Sequence, residues 1–188
     1  MEKLIELDHK LFLYLNNLGT ETWDWMWIAI SDKWMAIPFY AFLLYLIFRN
    51  FGWKYSLVTM VAIALLITCT DQMANVFKDG FARRRPCGQE GVMEYSRQVA
   101  SGCGKYGFYS AHASSTFAVA IFLGNIFKRK IPKMMLYLII WASFVAYSRV
   151  YLGVHYPGDI FVGMLFGILI GYLLYLLQQL VIKKMKLG

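Results

Sequence analysis

The chain alternates long apolar runs with short polar breaks. In the first of these, residues 1–22, Leu4, Ile5, Leu7, Leu11, Phe12 and Leu15 recur at helical spacing on one face. That pattern predicts an amphipathic helix lying in a membrane interface. Trp23, Trp25 and Trp27 follow, with Trp34 close behind. Tryptophan gathers at headgroup level, so the whole segment 1–33 is expected along the membrane surface. Continuous apolar stretches then predict spans at about 34–48, 55–76, 110–127, 134–151 and 158–182. The first is short for a ~30 Å hydrocarbon core unless Ser31 to Lys33 contribute. A polar loop rich in Gly and Arg, residues 77–108, separates the second span from the third. The expected fold is all-α: a polytopic membrane helix bundle with about five transmembrane helices and an interfacial N-terminal helix. It forms a single domain over 1–188, divided into an interfacial segment 1–33 and a bundle 34–182.

Composition agrees with this pattern. The 188 residues are 59% hydrophobic and 16% charged, against roughly 25% charged in soluble domains. A net charge of +8 raises the question of nucleic acid, but the distribution of charge answers it differently, and no nucleic-acid partner is expected. Segments 49–54, 128–133 and 183–188 fall on one side of the membrane and contain nine of the 19 Lys and Arg. None of the 11 Asp and Glu lies in them. The positive-inside rule makes that side, with the C-terminus, cytoplasmic. The N-terminus, the 77–108 loop and the start of the last span then face outward, the arrangement of a bacterial inner-membrane protein with its working end toward the periplasm. No cleavable signal peptide is expected, because the N-terminus is acidic and its apolar run short.

Cys87 and Cys103 bracket the outer loop, in an oxidising compartment. A disulfide closing that loop would stabilise it by about 3 kcal/mol in the chain-entropy view. Cys69, inside a span, reads as a buried lipid- or core-facing thiol. Gly163, Gly167 and Gly171 recur every four residues in the last span and predict close helix packing; the oligomeric state is open.

One feature runs against the charge trend. The outer side keeps Lys78, Arg83, Arg84, Arg85 and Arg149, which argues for an anionic ligand. Arg83 and Arg84 suit either lipid headgroups or plain solvation. The other cations belong to two of three motifs, each at the outer end of a span: Lys78 six residues ahead of Arg85-Pro86; Tyr109-Ser110-Ala111-His112, without a cation; and Ser148-Arg149 followed by His155 and Asp159. Arginine clamps phosphate oxygens with paired hydrogen bonds and lysine adds a point charge. Ser110 sits at an N-cap position and Pro157 in a first helical turn, so two helix N-termini face the same cations. His112 and His155 can serve as acid and nucleophile in phosphoryl transfer. Asp159, four residues after His155, can fix its tautomer and stabilise the imidazolium.

These motifs, at 78–86, 109–112 and 148–159, resemble the signature of the type 2 phosphatidic acid phosphatase family, which shares its site with vanadium haloperoxidases. The family pattern is Lys-x6-Arg-Pro, Pro-Ser-Gly-His and Ser-Arg-x5-His-x3-Asp. The first and third match at every defined position; the second matches through Ser110 and His112. The resemblance implies His155 as the nucleophile that becomes phosphohistidine, Asp159 as its orienting partner and His112 as general acid. Lys78, Arg85, Ser110 and Arg149 would hold the phosphate, with no metal or cofactor. With Tyr109 and Ala111 replacing Pro and Gly, the 110–112 turn is expected to use ordinary backbone angles. Asp71 and Asn75 share a helical face with Lys78 and are candidates to support it. His9 reads as an interfacial residue.

The expected partner is a membrane lipid phosphate, monoester or pyrophosphate, within the bilayer. The short chain and outward site suit undecaprenyl pyrophosphate. Phosphatidic acid and phosphatidylglycerol phosphate are close rivals, and lipid A phosphate is another. A lipid phosphotransferase using the same histidine is the alternative reaction. The spans disfavour a haloperoxidase, and a non-catalytic transporter or lipid-binding protein has no need of both histidines and Asp159.

Overall fold

In the computed structural model, which describes residues 2–187, seven α-helices follow in order among the described residues. They are α1 (Glu2–Asn17), α2 (Glu21–Ser31), α3 (Lys33–Phe51), α4 (Trp53–Phe81), α5 (Ala111–Phe127), α6 (Met134–Tyr151) and α7 (Pro157–Lys184). The last five coincide with the five expected spans. Lys33 does join the first of them, which lengthens α3 to 19 residues. At 1.5 Å per residue that is about 28 Å, close to the hydrocarbon thickness. Asp32 separates α2 from α3 by capping: its carboxylate accepts from the Trp34 N–H at 2.6 Å.

Helix α5 is the hub. It contacts α4, α6 and α7, and Phe117, Ala118, Ala120, Phe122, Leu123 and Phe127 are buried on all sides of it. An axis surrounded by other helices is apolar all round rather than amphipathic. The seam with α7 is the tightest contact. A Cβ on Gly163, Gly167 or Gly171 would lie 2.6, 2.3 and 2.3 Å from the carbonyl oxygens of Ser110, Ser114 and Ala118. The three glycines therefore let two parallel backbones of the same chain meet, which answers where their packing partner lies. The outer faces of α3, α4, α6 and α7 expose Phe42, Leu57, Leu65, Ile140, Leu169 and Leu173, the surface a lipid solvent requires. Cys69 is exposed among them on α4, so it faces lipid rather than core.

The N-terminal segment is more than a surface strip. It forms two helices, and Phe12 and Asn16 of α1 are fully buried. The Asn16 amide donates to the carbonyls of Arg97, Val150 and Tyr151 at 3.2, 3.0 and 2.9 Å and accepts from the Arg97 N–H at 2.7 Å. Asp24 of α2 accepts from both Arg97 and the Tyr151 hydroxyl. Trp27 packs on Tyr147 and Tyr151. The apolar residues of α1 that remain roof a groove of about 800 Å³ between α6 and α7, floored by Phe117.

Candidate active site

The three motifs arrive from four elements and meet at one end of the bundle. Lys78 lies in the last turn of α4, which stops at Ala82 in a left-handed conformation (φ 47°). The chain then runs extended through Arg83–Arg85 and pairs with the returning arm of the loop, where Arg84 makes an isolated bridge to Tyr106 and the Gly107 N–H donates to the Arg83 carbonyl at 2.9 Å. Arg85 is cradled by that arm. Its Nε donates to the Tyr106 carbonyl at 2.9 Å. A Cβ on Gly107 would come within 2.8 Å of Arg85 Cγ, and one on Gly104 within 3.1 Å of its Cζ. The expected Cys87–Cys103 disulfide is formed and ties the two arms of the loop together beside Arg85.

The second motif opens α5. Ser110 is the N-cap, its hydroxyl accepting from the Ala113 N–H at 3.4 Å. Its own N–H donates to the Asp159 carbonyl at 3.0 Å and so joins the second motif to the third. As the alanine requires, Ser110 (φ −84°) and helical Ala111 use ordinary angles. The left-handed residue is instead Tyr109, at φ 76°. A proline ring, locked near −65°, cannot adopt that angle. The departure from the family pattern at 109 therefore marks a different approach of the chain to α5. It is held by the Tyr109 hydroxyl against Ser114 at 2.5 Å and by its ring against Phe77 at 5.2 Å.

The third motif spans the turn from α6 to α7. Ser148 is buried and bonded to the Val145 carbonyl. The Arg149 guanidinium meets the Ser31 hydroxyl of the α2–α3 junction, and its Nε is buried without a partner among the described residues. The Arg149 carbonyl accepts from the His155 N–H at 3.2 Å. His155 is 3% exposed and Asp159 0%. The His155 Nδ1 faces Asp159 Oδ2 at 3.4 Å, which assigns the ring proton to Nδ1 and leaves Nε2 as the free nitrogen. Burial pushes His155 below the ordinary imidazole range, against the pull of Asp159 in the other direction. Asp159 has a second task. As the third residue of α7, its carboxylate accepts from the Tyr156 N–H at 3.0 Å and closes a capping box.

Lys78, Arg85, Arg149 and His155 all lie near enough to His112 to act on it electrostatically, and His112 is exposed at the rim. The N–H groups of Ala111 and His112 belong to a first helical turn, which leaves donors for an anion. A buried imidazole with a free Nε2, a second imidazole, three cations and a helix N-terminus form a site able to hold a tetrahedral oxyanion and exchange a group at its centre.

Asp71 and Asn75 are exposed on α4. The charge of Asp71 reaches Lys78 through space, and neither residue hydrogen-bonds to it among the described contacts. Arg83 departs from both readings made for it. It is neither solvated nor free for headgroups, but bonded to Asp159 at 3.0 Å and to Asp8 of α1 at 2.6 Å. Asp8 has no mark in the sequence beyond being an acid in an amphipathic helix. His9 stacks on Tyr156 at 4.8 Å rather than standing alone at the interface.

Comparison with known proteins places the chain in a family. The profile of the PAP2 superfamily matches residues 53–183. The chain is 36% identical over 95% of its length to a lipid A 4'-phosphatase of Bacteroides thetaiotaomicron, covering 80% of that protein. To a lipid A 4'-phosphatase of Porphyromonas gingivalis it is 33% identical over 93% of its length and 74% of the other. In fold it resembles the crystal structure of a PAP2 type phosphatidylglycerolphosphate phosphatase from Bacillus subtilis. The TM-score is 0.74 at 17% identity, over 95% of this chain and 88% of that one.

Proposed function

The chain belongs to the PAP2 superfamily and is a membrane lipid phosphatase of that type, and from this premise we propose that it removes the 4'-phosphate of lipid A through a phosphohistidine on His155. The observation that carries the chemistry is the convergence of His155–Asp159 and His112 with Lys78, Arg85 and Arg149 at one end of the bundle. In this reading the phosphate sits among the three cations and the first turn of α5. The Nε2 of His155 attacks phosphorus, and the bond from phosphorus to the sugar oxygen breaks. His112 gives its proton to that oxygen, while Asp159 holds the Nδ1 proton and balances the imidazolium. Water, deprotonated by His112, then attacks the phosphohistidine, releasing inorganic phosphate and restoring both rings.

The substrate rests on the two relatives named as lipid A 4'-phosphatases, each aligned along more than nine-tenths of this chain. They favour a sugar-borne phosphate monoester over undecaprenyl pyrophosphate, the substrate the sequence alone suggested. For location, the acid-free basic segments 49–54, 128–133 and 183–188 favour a bacterial inner membrane with the site facing the periplasm and the C-terminus in the cytoplasm.

The test is phosphate release in detergent with EDTA present, from lipid A 1,4'-bisphosphate, undecaprenyl pyrophosphate, phosphatidic acid and phosphatidylglycerol phosphate. The reading expects the first to turn over fastest, with mass spectrometry showing loss at the 4' position and trapped phosphohistidine absent from His155→Ala. Faster turnover of undecaprenyl pyrophosphate would replace the substrate. Full activity of His155→Ala would remove the mechanism. Transfer of the phosphate to an added alcohol in place of water would make it a phosphotransferase.

A further inference from the structure

Arg83 occupies one of the six undefined positions between Lys78 and Arg85, yet it is gripped on three sides. Its Nη1 donates to Asp159 Oδ1 at 3.0 Å and its Nη2 to Asp8 Oδ2 at 2.6 Å. Its guanidinium carbon lies 4.0 Å from the centre of the Tyr156 ring, on which His9 also stacks. Asp8 is not a loose surface acid. Its other oxygen accepts from the Gly158 N–H at 2.8 Å, in the first turn of α7. A Cβ on Gly158 would stand 2.8 Å from Asp8 Oδ2, so this close approach requires glycine.

The result is a continuous chain from Asp8 of α1 through Arg83 and Asp159 to His155. Every carboxylate oxygen in it has an assigned partner. Asp159 gives Oδ1 to Arg83 and Oδ2 to the Tyr156 N–H and His155. Asp8 gives Oδ1 to Gly158 and Oδ2 to Arg83. Two acids thus share one guanidinium in a largely buried place, with Asp8 15% exposed and Arg83 20%. In such surroundings charges are weakly screened. Arg83 draws on the carboxylate that supports the imidazolium, and Asp8 offsets that draw.

We propose that Arg83 and Asp8 are positioning residues of the phosphoryl-transfer site: Arg83 holds Asp159 against the Nδ1 side of His155 and sets how strongly it favours the imidazolium, while Asp8 makes that setting depend on the seating of α1. The proposal rests on the reading of His155 as nucleophile. The charged and titratable groups that act on His155 directly are Asp159 of α7, Arg149 of α6, Arg85 of the loop after α4 and His112 of α5. Arg83 and Asp8 reach it through Asp159, His9 lies against Tyr156, and Lys78 lies beside His112. Arg83 and Asp8 give opposite signs on removal. Without Arg83, Asp159 favours the imidazolium more, and His155 titrates at higher pH. Without the charge of Asp8, Arg83 acts on Asp159 unopposed, and His155 titrates at lower pH.

The chain has three histidines, so selective isotope labelling of histidine in detergent-solubilised protein gives a short NMR spectrum, assigned with His9→Gln and His112→Gln. The titration midpoint of His155 is followed in wild type, Arg83→Met, Arg83→Lys and Asp8→Asn. The acid limb of kcat is measured beside it on 4'-monophosphoryl lipid A in mixed micelles. Arg83→Met is expected to raise the midpoint by on the order of one pH unit, Arg83→Lys by less, and Asp8→Asn to lower it. The acid limb of kcat should follow each midpoint while KM stays within about twofold. Midpoints that stay put, or that move the same way in the Arg83 and Asp8 variants, would overturn the proposal and leave the chain a structural tie. Should Arg83→Met fail to fold, opposite displacements in Arg83→Lys and Asp8→Asn uphold it and their absence ends it. Phosphate release by His155→Ala would overturn the nucleophile reading itself, wherever the midpoints lie.

Discussion

The two ends of the bundle carry similar numbers of cations and use them in opposite ways. At one end, segments 49–54, 128–133 and 183–188 hold Lys and Arg without a single acid. Short turns join the helices there, such as Gly52 between α3 and α4. At the other end every acid of the chain is available. Asp8, Asp24 and Asp159 pair with Arg83 and Arg97 in a folded layer that includes α1, α2 and the disulfide-closed loop. The lesson is that cations paired with acids build structure, while the site takes its cations from those left free of carboxylates. With Arg83 and Arg97 taken up by carboxylates, Lys78, Arg85 and Arg149 are left without a salt bridge among the described residues, as are Lys3, Lys33, Arg84 and Lys105; what sets the three apart is that they lie close enough to His112 to act on it. The cations of the opposite end have no carboxylate near them among the described residues, and in the proposed topology they set orientation.

That contrast can be broken most sharply at His155. His155→Ala should reduce phosphate release by on the order of 10³-fold or more, whereas Lys183→Ala with Lys184→Ala should leave kcat unchanged in the same assay. The pH profile sharpens the point. In the proposed mechanism the neutral ring is the nucleophile, and burial lowers its folded-state value. Activity should therefore persist as pH falls through the ordinary imidazole range, with the acid limb of kcat below it; an acid limb at or above that range would contradict the geometry. Next in size is Arg149→Lys, which keeps the charge but loses the planar fork. A loss of roughly 10²-fold in kcat/KM is expected, against no loss for Arg129→Lys at the opposite end.

Smaller effects fall on stability. Cys87→Ser with Cys103→Ser, or reduction of the wild type, should cost about 3 kcal/mol or somewhat less. The loss should show as protease sensitivity of the 88–102 loop and weaker substrate binding through Arg85, with the 128–133 turn no more sensitive than before. Asn16→Ala removes a buried amide that meets three carbonyls and one N–H. A loss of about 1–3 kcal/mol is expected in thermal melts, with α1 released from the bundle before α4–α7.

Much of this was legible beforehand for identifiable reasons. The five spans follow from apolar run length, which in a bilayer is fixed by hydrocarbon thickness. The disulfide followed from two cysteines bracketing one outward loop. Lys78, Arg85, Ser110, His112, Arg149, His155 and Asp159 sit at fixed spacings near span ends, so motif and topology agreed on them. Arg83 and Asp8 were not legible, because their meaning lies in a pairing across 75 residues of chain. The clue that was present, three consecutive arginines of which the pattern used one, pointed to a ligand rather than to Asp159. Asn16 was hidden in the same way. An asparagine near the end of an amphipathic helix looks solvated until the carbonyls at the end of α6 are placed against it.

By itself, then, the sequence determined the solvent, the five apolar helices and their side-to-side charge bias, and it picked out the candidate reactive groups; it did not show that the N-terminal segment makes two helices rather than one. Those properties are local or additive along the chain: hydropathy sums over a window, and a motif is a spacing. Tertiary structure alone decided which arginines pair and which stay open, where Tyr109 turns left-handed, and that α1 reaches the His155–Asp159 pair through Arg83. Each of these depends on which surfaces meet when α5, α6 and α7 close against one another. Burial then makes an ion pair or an unmet carbonyl cost enough to matter.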